Sequence, residues 1–171
     1  MKRSQNTRTA TIRLTRGSII AALYVALTFC AAIFGLSSGV IQFRLSEMLC
    51  ILPLFLPEAI PGLFVGCILS NLLTGAAFWD VIFGSVATLI GAVGARLLRN
   101  LPEKLIWLST VPTLLANALI VPGVLILAYG VPDSYLFLML TVGLGELVCA
   151  CFGGYVLYRF VKPHKDALFF D

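Results

Sequence analysis

Charge is scarce in this chain of 171 residues, of which 12% are Asp, Glu, Lys or Arg and 60% are hydrophobic. About 25% of a typical soluble domain is charged, so the composition excludes an ordinary water-soluble domain and indicates an integral membrane protein. A spanning helix takes about 20 apolar residues, so the length allows about six spans and no separate soluble domain. We attribute the net charge of +4 to anchors at the membrane surface and expect no nucleic-acid partner.

Residue patterns of catalysis and metal binding are also missing. The single histidine, His164, is in the tail, and none of the five cysteines forms a Cys-x-x-Cys pair. We interpret the cysteines as small buried hydrophobic residues and predict neither a metal site nor a cofactor. The sequence has no phosphate-binding loop ending in Gly-Lys-Ser or Gly-Lys-Thr and no His-Glu-x-x-His motif, so we expect neither ATP hydrolysis nor other catalysis from this chain.

The apolar runs predict an all-α integral membrane protein with a bundle of six transmembrane helices. The expected spans are residues 17–34, 45–56, 60–73, 78–98, 105–129 and 135–160. The second and third are short, so we expect one or both to be tilted or to cross only part of the bilayer. A basic lead-in at residues 1–16 and a basic tail at residues 161–171 complete one domain over residues 1–171.

The positions of the basic residues predict the orientation. Arg44 is the only one of the 12 Lys and Arg residues that is neither in nor next to the N-terminus, the loop between the fourth and fifth spans or the C-terminal tail. Those three segments share one side of a six-span protein, and the positive-inside rule makes that side cytoplasmic. Both termini are therefore expected in the cytoplasm.

Polar side chains inside the spans predict a ligand pocket that is open to the outside and closed below. Ionisable groups in hydrocarbon are costly, so by default they mark a functional site. The candidates are Arg44 and Glu47 at the start of the second span, Asn71 and Asp80 at the outer ends of the next two, and Asn117 and Glu146 near mid-membrane.

Structural roles for the same residues remain open. Arg44 and Glu47, three residues apart, would form an intrahelical ion pair that closes a loop. Asn117 would bond a neighbouring helix. Asn71 and Asp80 would be caps or turn formers, with Asp80 as a carboxylate in the first turn of its helix.

Small residues spaced four apart form a second pattern. Ala22 and Ala26 share a face of the first span, and Gly62 and Gly66 share a face of the third. Such faces let helices approach closely. They indicate either internal packing or a docking surface for another membrane protein.

Several of these segments resemble one family. The run VIQFRLSE at residues 40–47, followed by Leu52-Pro53, resembles the signature of the QueT family, the substrate-binding S components of energy-coupling factor (ECF) transporters for queuosine precursors. Residues 80–89 are similar to its fourth helix, residues 112–117 to its fifth and Gly145-Glu146 to its sixth. Ala22 and Ala26 resemble the alanine motif by which S components dock onto the transmembrane coupling subunit EcfT.

The resemblance implies a prokaryotic plasma-membrane protein that captures a deazaguanine ligand from outside and works with EcfT and two ECF ATPase subunits. A carboxylate such as Glu47 or Glu146 would then accept hydrogen bonds from the ligand's N–H edge. Phe43 or Trp79 would stack on the flat ring. A loop at residues 35–39, with Gln42 and Phe43, would close over the ligand as a lid.

Three other functions remain open. The chain would be an S component for another vitamin or purine-like base, a stand-alone transporter of a small metabolite, or a structural membrane protein without a ligand. Stand-alone transporters are commonly built from internal repeats, and we find none in this sequence.

Overall fold

The computed structural model describes residues 2–35 and 43–168, and these residues are helical without any strand. This confirms the all-α prediction. The helices are α1 Lys2–Ile33, a 3₁₀ helix Leu45–Leu54, α2 Ala59–Leu73, α3 Phe78–Leu97, a 3₁₀ segment Glu103–Thr110 that leads into α4 Val111–Tyr129, α5 Tyr135–Glu146, a π-helical segment Leu147–Gly153, and α6 Gly154–Leu168.

Four continuous helical stretches are long and apolar enough to cross a membrane. They are Thr7–Ile33, Phe78–Leu97, Glu103–Tyr129 and Tyr135–Lys165. The remaining two, Leu45–Leu54 and Ala59–Leu73, are the shorter segments that the sequence indicated. Large apolar side chains such as Leu127 and Phe160 cover the outside of the bundle, as expected where the solvent is lipid.

The 3₁₀ helix Leu45–Leu54 runs through the middle of the bundle. Most of its residues are buried, and Pro53 lies inside it. Its last turn is held by Arg96 of α3, whose Nη1 donates to the carbonyls of Pro53 at 3.0 Å and Leu54 at 3.3 Å. Gly153 of the π-helical segment packs against it, since a Cβ there would be in van der Waals contact with the Cβ of Met48 at 3.4 Å.

Helices α1 and α2 cross at their glycines. A Cβ added at Gly62 would lie 2.6 Å from the carbonyl oxygen of Gly17, and one at Gly66 would lie 3.0 Å from Ala21. The face of Gly62 and Gly66 is therefore used for internal packing. Ala22, in contrast, is exposed on the outer side of α1.

The bundle has two chemically different ends. At one end, called the basic end here, Arg16 pairs with Glu58 at 3.3 Å and Lys162 with Glu103 at 2.7 Å. The predicted lead-in is the first half of α1, which continues without a break into the apolar half. At the opposite end, the last turn of α1 meets the start of the 3₁₀ helix, the end of α2 and the start of α3.

The glycine crossing gives a first prediction. We expect Gly62→Ala to lower stability by about 1–3 kcal/mol, because the new methyl group meets backbone atoms of α1 that cannot move aside. The matched control is Gly123→Ala in α4, where no atom lies within 4 Å of the new Cβ. Thermal unfolding in detergent measures both, and equal stability of the two variants would contradict the close crossing.

Candidate functional site

A cavity of about 610 Å³ opens at the end of the bundle opposite the basic end. Six helices contribute to its wall, because the last turns of α1, α2 and α4 and the first turns of the 3₁₀ helix, α3 and α5 meet there. Its polar lining consists of Tyr24, Thr28, Arg44, Ser46, Ser70, Asn71, Thr74, Asp80, Tyr129 and Asp133. We call this cavity the Arg44 pocket.

An ion pair between Arg44 and Asp80 lies at the centre of this pocket. Nη2 of Arg44 is 3.4 Å from Oδ1 of Asp80, and 14% and 9% of the two side chains are exposed. The hydroxyl of Tyr129 donates to Oδ2 of Asp80 at 3.1 Å. Asp80 therefore joins the start of the 3₁₀ helix to the end of α4. Arg44 pairs with Asp80 and not with Glu47. Asp80 also lies in the first turn of α3, as its structural alternative expected, although its side chain makes no cap hydrogen bond.

Asn71 and a glycine complete the polar centre. The amide of Asn71 donates to the backbone carbonyl of Asp80 at 3.2 Å, which fixes α2 against α3. A Cβ at Gly84 would lie 3.0 Å from Oδ1 of Asp80 and 3.3 Å from Nδ2 of Asn71. Gly84 thus leaves the space that these polar groups occupy.

Glu47 lies behind the pocket wall and is fully buried. Its Oε1 accepts from the hydroxyls of Tyr24 and, at 3.1 Å, Thr88, while its Oε2 accepts from the thiol of Cys50 at 3.2 Å. These three donors come from α1, α3 and the 3₁₀ helix. Cys67 of α2 lies 3.5 Å from the Thr88 hydroxyl, so two cysteines take part in polar contacts as well as filling space.

Asn117 and Glu146 are buried deeper in the bundle and do not line the Arg44 pocket. The amide of Asn117 donates to the carbonyl of Thr113, one turn earlier on α4, at 3.2 Å. Within the described residues, Oδ1 of Asn117 and Oε2 of Glu146 accept no hydrogen bond. The structure therefore separates the predicted site into an outer group and an inner one.

The two predicted stacking residues do not line the pocket. Trp79 is 52% exposed on the outside of α3, stacks on Phe83 with ring centroids 5.9 Å apart, and borders a separate apolar groove. Phe43 is half-buried next to Arg44. Most of the predicted lid, namely residues 36–39 and Gln42, lies outside the described residues, and these stacking and lid roles stay predictions.

Tyr24, Thr88 and Tyr129 are polar centres that the sequence analysis did not select. The hydroxyl of Tyr129 donates to Asp80 and accepts from the backbone N–H of Ala77 at 3.0 Å. A hydroxyl group in an apolar span is weak evidence for a functional site, because it can simply bond a backbone carbonyl of its own helix. The contact between Tyr129 and Asp80 is formed only when α3 and α4 pack together, so the sequence alone does not show it.

The pocket combines a guanidinium, a carboxylate, a primary amide and several hydroxyl groups at one end of an apolar bundle. A carboxylate and an amide can together accept and donate hydrogen bonds in the plane of a heterocycle. Ligand pockets usually place a few polar groups on a mostly apolar lining, and volumes of about 300–1,000 Å³ suit small molecules. This chemistry suits a small polar ligand with both donors and acceptors.

An apolar groove of about 780 Å³ runs along α1 and α2 on the outer surface. Ala22 and Ala26 are both exposed and lie on its wall. Tyr24 lies between them in sequence but points inward to Glu47. One stretch of α1 therefore faces both the buried polar centre and the open groove.

Comparison with known proteins gives one family. The model of the QueT transporter family matches residues 14–163, which include every residue of the pocket. Over 108 residues the chain is 37% identical to a protein of Lactococcus lactis subsp. cremoris named queuosine precursor transporter QueT. That alignment covers 63% of this chain and 60% of the relative. No solved structure gives a significant match.

A double-mutant cycle tests the ion pair. We expect Arg44→Gln and Asp80→Asn each to lower stability by about 1–3 kcal/mol, because each leaves a partly buried charge without its partner. The stability loss of the double variant should be smaller than the sum of the two single losses by about 1 kcal/mol or more. Arg44→Gln combined with Glu58→Gln is the control, since Glu58 pairs with Arg16 at the other end, and additivity in both cycles would contradict the pairing.

Proposed function

This chain belongs to the QueT transporter family, and we propose that it is the substrate-binding S component of an ECF importer that captures a queuosine precursor. The ligand is a deazaguanine base taken from outside the cell. Two findings support this proposal: the family match over residues 14–163 and the name of the Lactococcus relative. Transport energy then comes from ATPase subunits, because this chain has no phosphate-binding loop.

The observation that carries the proposal is the polar centre of the Arg44 pocket. Arg44, Asn71 and Asp80 come from three separate elements and meet in one cavity of about 610 Å³. The Asp80 carboxylate accepts hydrogen bonds from the N–H edge of the base, and Asn71 supplies a donor and an acceptor beside it. Glu47 acts from behind the wall by holding Tyr24 in position.

The same geometry supports the proposed orientation in a prokaryotic plasma membrane. Contacts between helix ends alternate along the chain: Arg16 meets Glu58 at the basic end, Arg44 meets Asp80 at the pocket end, and Glu103 meets Lys162 at the basic end again. We expect six spans with both termini in the cytoplasm, because this alternation and the positive-inside rule agree with that arrangement. The pocket then opens outward, and residues 1–171 act as one membrane domain.

EcfT and two ECF ATPase subunits are the proposed partners. The groove along α1 and α2 is the proposed docking surface for EcfT. The small side chains of Ala22 and Ala26 on its wall let a second helix approach closely. Gly62 and Gly66 pack α2 on α1, and Gly62 also lines the groove.

Calorimetry on the purified chain tests the ligand. We expect the aminomethyl-deazaguanine precursor to bind, and guanine, thiamine and riboflavin to bind at least about 100-fold more weakly. Asp80→Asn should weaken binding by roughly 10- to 100-fold, because a hydrogen bond to a charged group contributes about 1.5–3 kcal/mol.

The matched control is Ser85→Ala on the same helix, whose hydroxyl bonds only the Val81 carbonyl of its own helix among the described residues, at 2.6 Å. The Ser85→Ala variant should bind the precursor with the same affinity as the unmodified chain. If only a control compound bound, the chain would still be a ligand-binding protein, but the proposed ligand would be wrong. Unchanged affinity in both Asp80→Asn and Asn71→Leu would reject the Arg44 pocket as the binding site.

Co-purification tests the docking surface. We expect Ala22→Trp to abolish co-purification with EcfT, because the indole fills the groove, and to leave ligand affinity within about twofold. Leu119→Trp, at an exposed position of α4, is the control for a tryptophan placed on another lipid-facing surface. Retention of EcfT by Ala22→Trp would contradict docking at this groove.

A further inference from the structure

The turn between α4 and α5 gives the Arg44 pocket a second carboxylate. Tyr129, Val131 and Asp133 line the pocket. Burial alternates along this turn, because Val131 and Asp133 are half-buried whereas Pro132 and Ser134 are exposed. Such alternation is typical of extended backbone, in which every second side chain points to the same side. Asp133 therefore lies on the same side as Val131, which packs on the core between α4 and α5.

Hydrogen bonds at both ends of this turn fix its position. Gly130 ends α4 with a φ of 64°, and the N–H of Val131 donates to the carbonyl of Leu125 at 3.2 Å. Ser134 caps α5 through its side chain. Only residues 131–133 lie between these two anchors, so the turn holds Asp133 at the edge of the pocket before any ligand arrives. A binding group held in place in this way loses little freedom when the ligand binds.

Asp133 has no cationic partner in the part of the chain that the structure describes. Three ion pairs are formed there, and none of them includes Asp133. Arg44, the basic residue in the lining of the pocket, is paired with Asp80. Residues 36–42, which lie outside the described residues, contain no Lys or Arg in their sequence. The described lining therefore carries two carboxylates and one guanidinium, and its net charge is negative.

The two carboxylates of the pocket differ in what they can bind. Both oxygens of Asp80 already accept hydrogen bonds, from Arg44 and, at 3.1 Å, from Tyr129. Because Arg44 balances its charge, Asp80 suits the uncharged N–H edge of a base. Asp133 has no such balance, and a pocket with excess negative charge favours a positively charged group on its ligand.

We propose that Asp133 recognises the positive charge of the ligand by pairing with its ammonium group. This inference rests on the proposed function, in which the ligand is the aminomethyl-deazaguanine precursor. The aminomethyl group carries a proton near neutral pH, as alkyl amines do. With the N–H edge of the base at Asp80 and Asn71, the ammonium group lies at the α4–α5 turn. Asp133 then selects the cationic precursor over neutral bases of the same size.

Calorimetry with two ligands of the same size tests this role. The second ligand is the hydroxymethyl analogue of the same base, which has the same number of non-hydrogen atoms but no charge. We expect the unmodified chain to bind the aminomethyl compound at least about tenfold more tightly, because hydrogen bonds between charged groups are the stronger ones. Asp133→Asn should weaken binding of the aminomethyl compound by about tenfold and leave binding of the hydroxymethyl compound within about twofold.

Three further variants separate charge from structure. Asp133→Glu keeps the carboxylate and should retain most of the preference for the aminomethyl compound. Asp133→Ser is a second neutral variant and should behave like Asp133→Asn, so the test does not depend on one substitution. Glu103→Gln removes a carboxylate at the basic end, where Glu103 pairs with Lys162. It should bind both compounds like the unmodified chain.

The outcomes distinguish this inference from the proposed function. Equal affinity of the unmodified chain for the two compounds would overturn the role of Asp133 and leave the proposed function standing. The same holds if both neutral variants keep the full preference, or if they lose affinity for both compounds by the same factor, since the role of Asp133 would then be structural. If neither compound binds to the unmodified chain, both the proposed ligand and this inference are wrong.

Discussion

The burial of the Glu47 carboxylate is the constraint on which the arrangement of this bundle depends. An ionised carboxylate is expensive in a low-dielectric interior unless hydrogen bonds replace its water. Donors from α1, from α3 and from the 3₁₀ helix do this for Glu47, and they hold these elements around one point. The 3₁₀ helix that carries Glu47 then brings Arg44 to Asp80, so the pocket is built outward from the buried carboxylate.

This arrangement places three zones along one bundle. The basic end is held by ion pairs of Arg16 and Lys162, the pocket end by Arg44 and Asp80, and the unsatisfied oxygens of Asn117 and Glu146 lie between them. Helix α1 borders two of the proposed binding surfaces, since Tyr24 lines the pocket while its neighbours line the outer groove. Ligand capture and docking would thus use opposite faces of one helix.

The sequence was sufficient for the helical class, for the approximate ends of the helices and for the two short segments, because hydrophobic runs and Gly or Pro breaks determine them locally. It also selected Arg44, Asn71 and Asp80, since charged and amide groups are rare in such a chain. It could not assign the partner of Arg44, because that depends on how α3 packs against the 3₁₀ helix. For the same reason Tyr129 was missed, and Trp79, chosen for its ring, lies outside the pocket.

The most direct test of the central claim is an experimental structure of this chain with the aminomethyl-deazaguanine precursor bound. The account predicts ligand density inside the Arg44 pocket, with the base within hydrogen-bonding distance of Asp80 and Asn71. Glu47 should keep its bonds to Tyr24 and Thr88 behind the wall. Density at the basic end, in the groove beside Trp79, or anywhere out of reach of both Asp80 and Asn71 would contradict it.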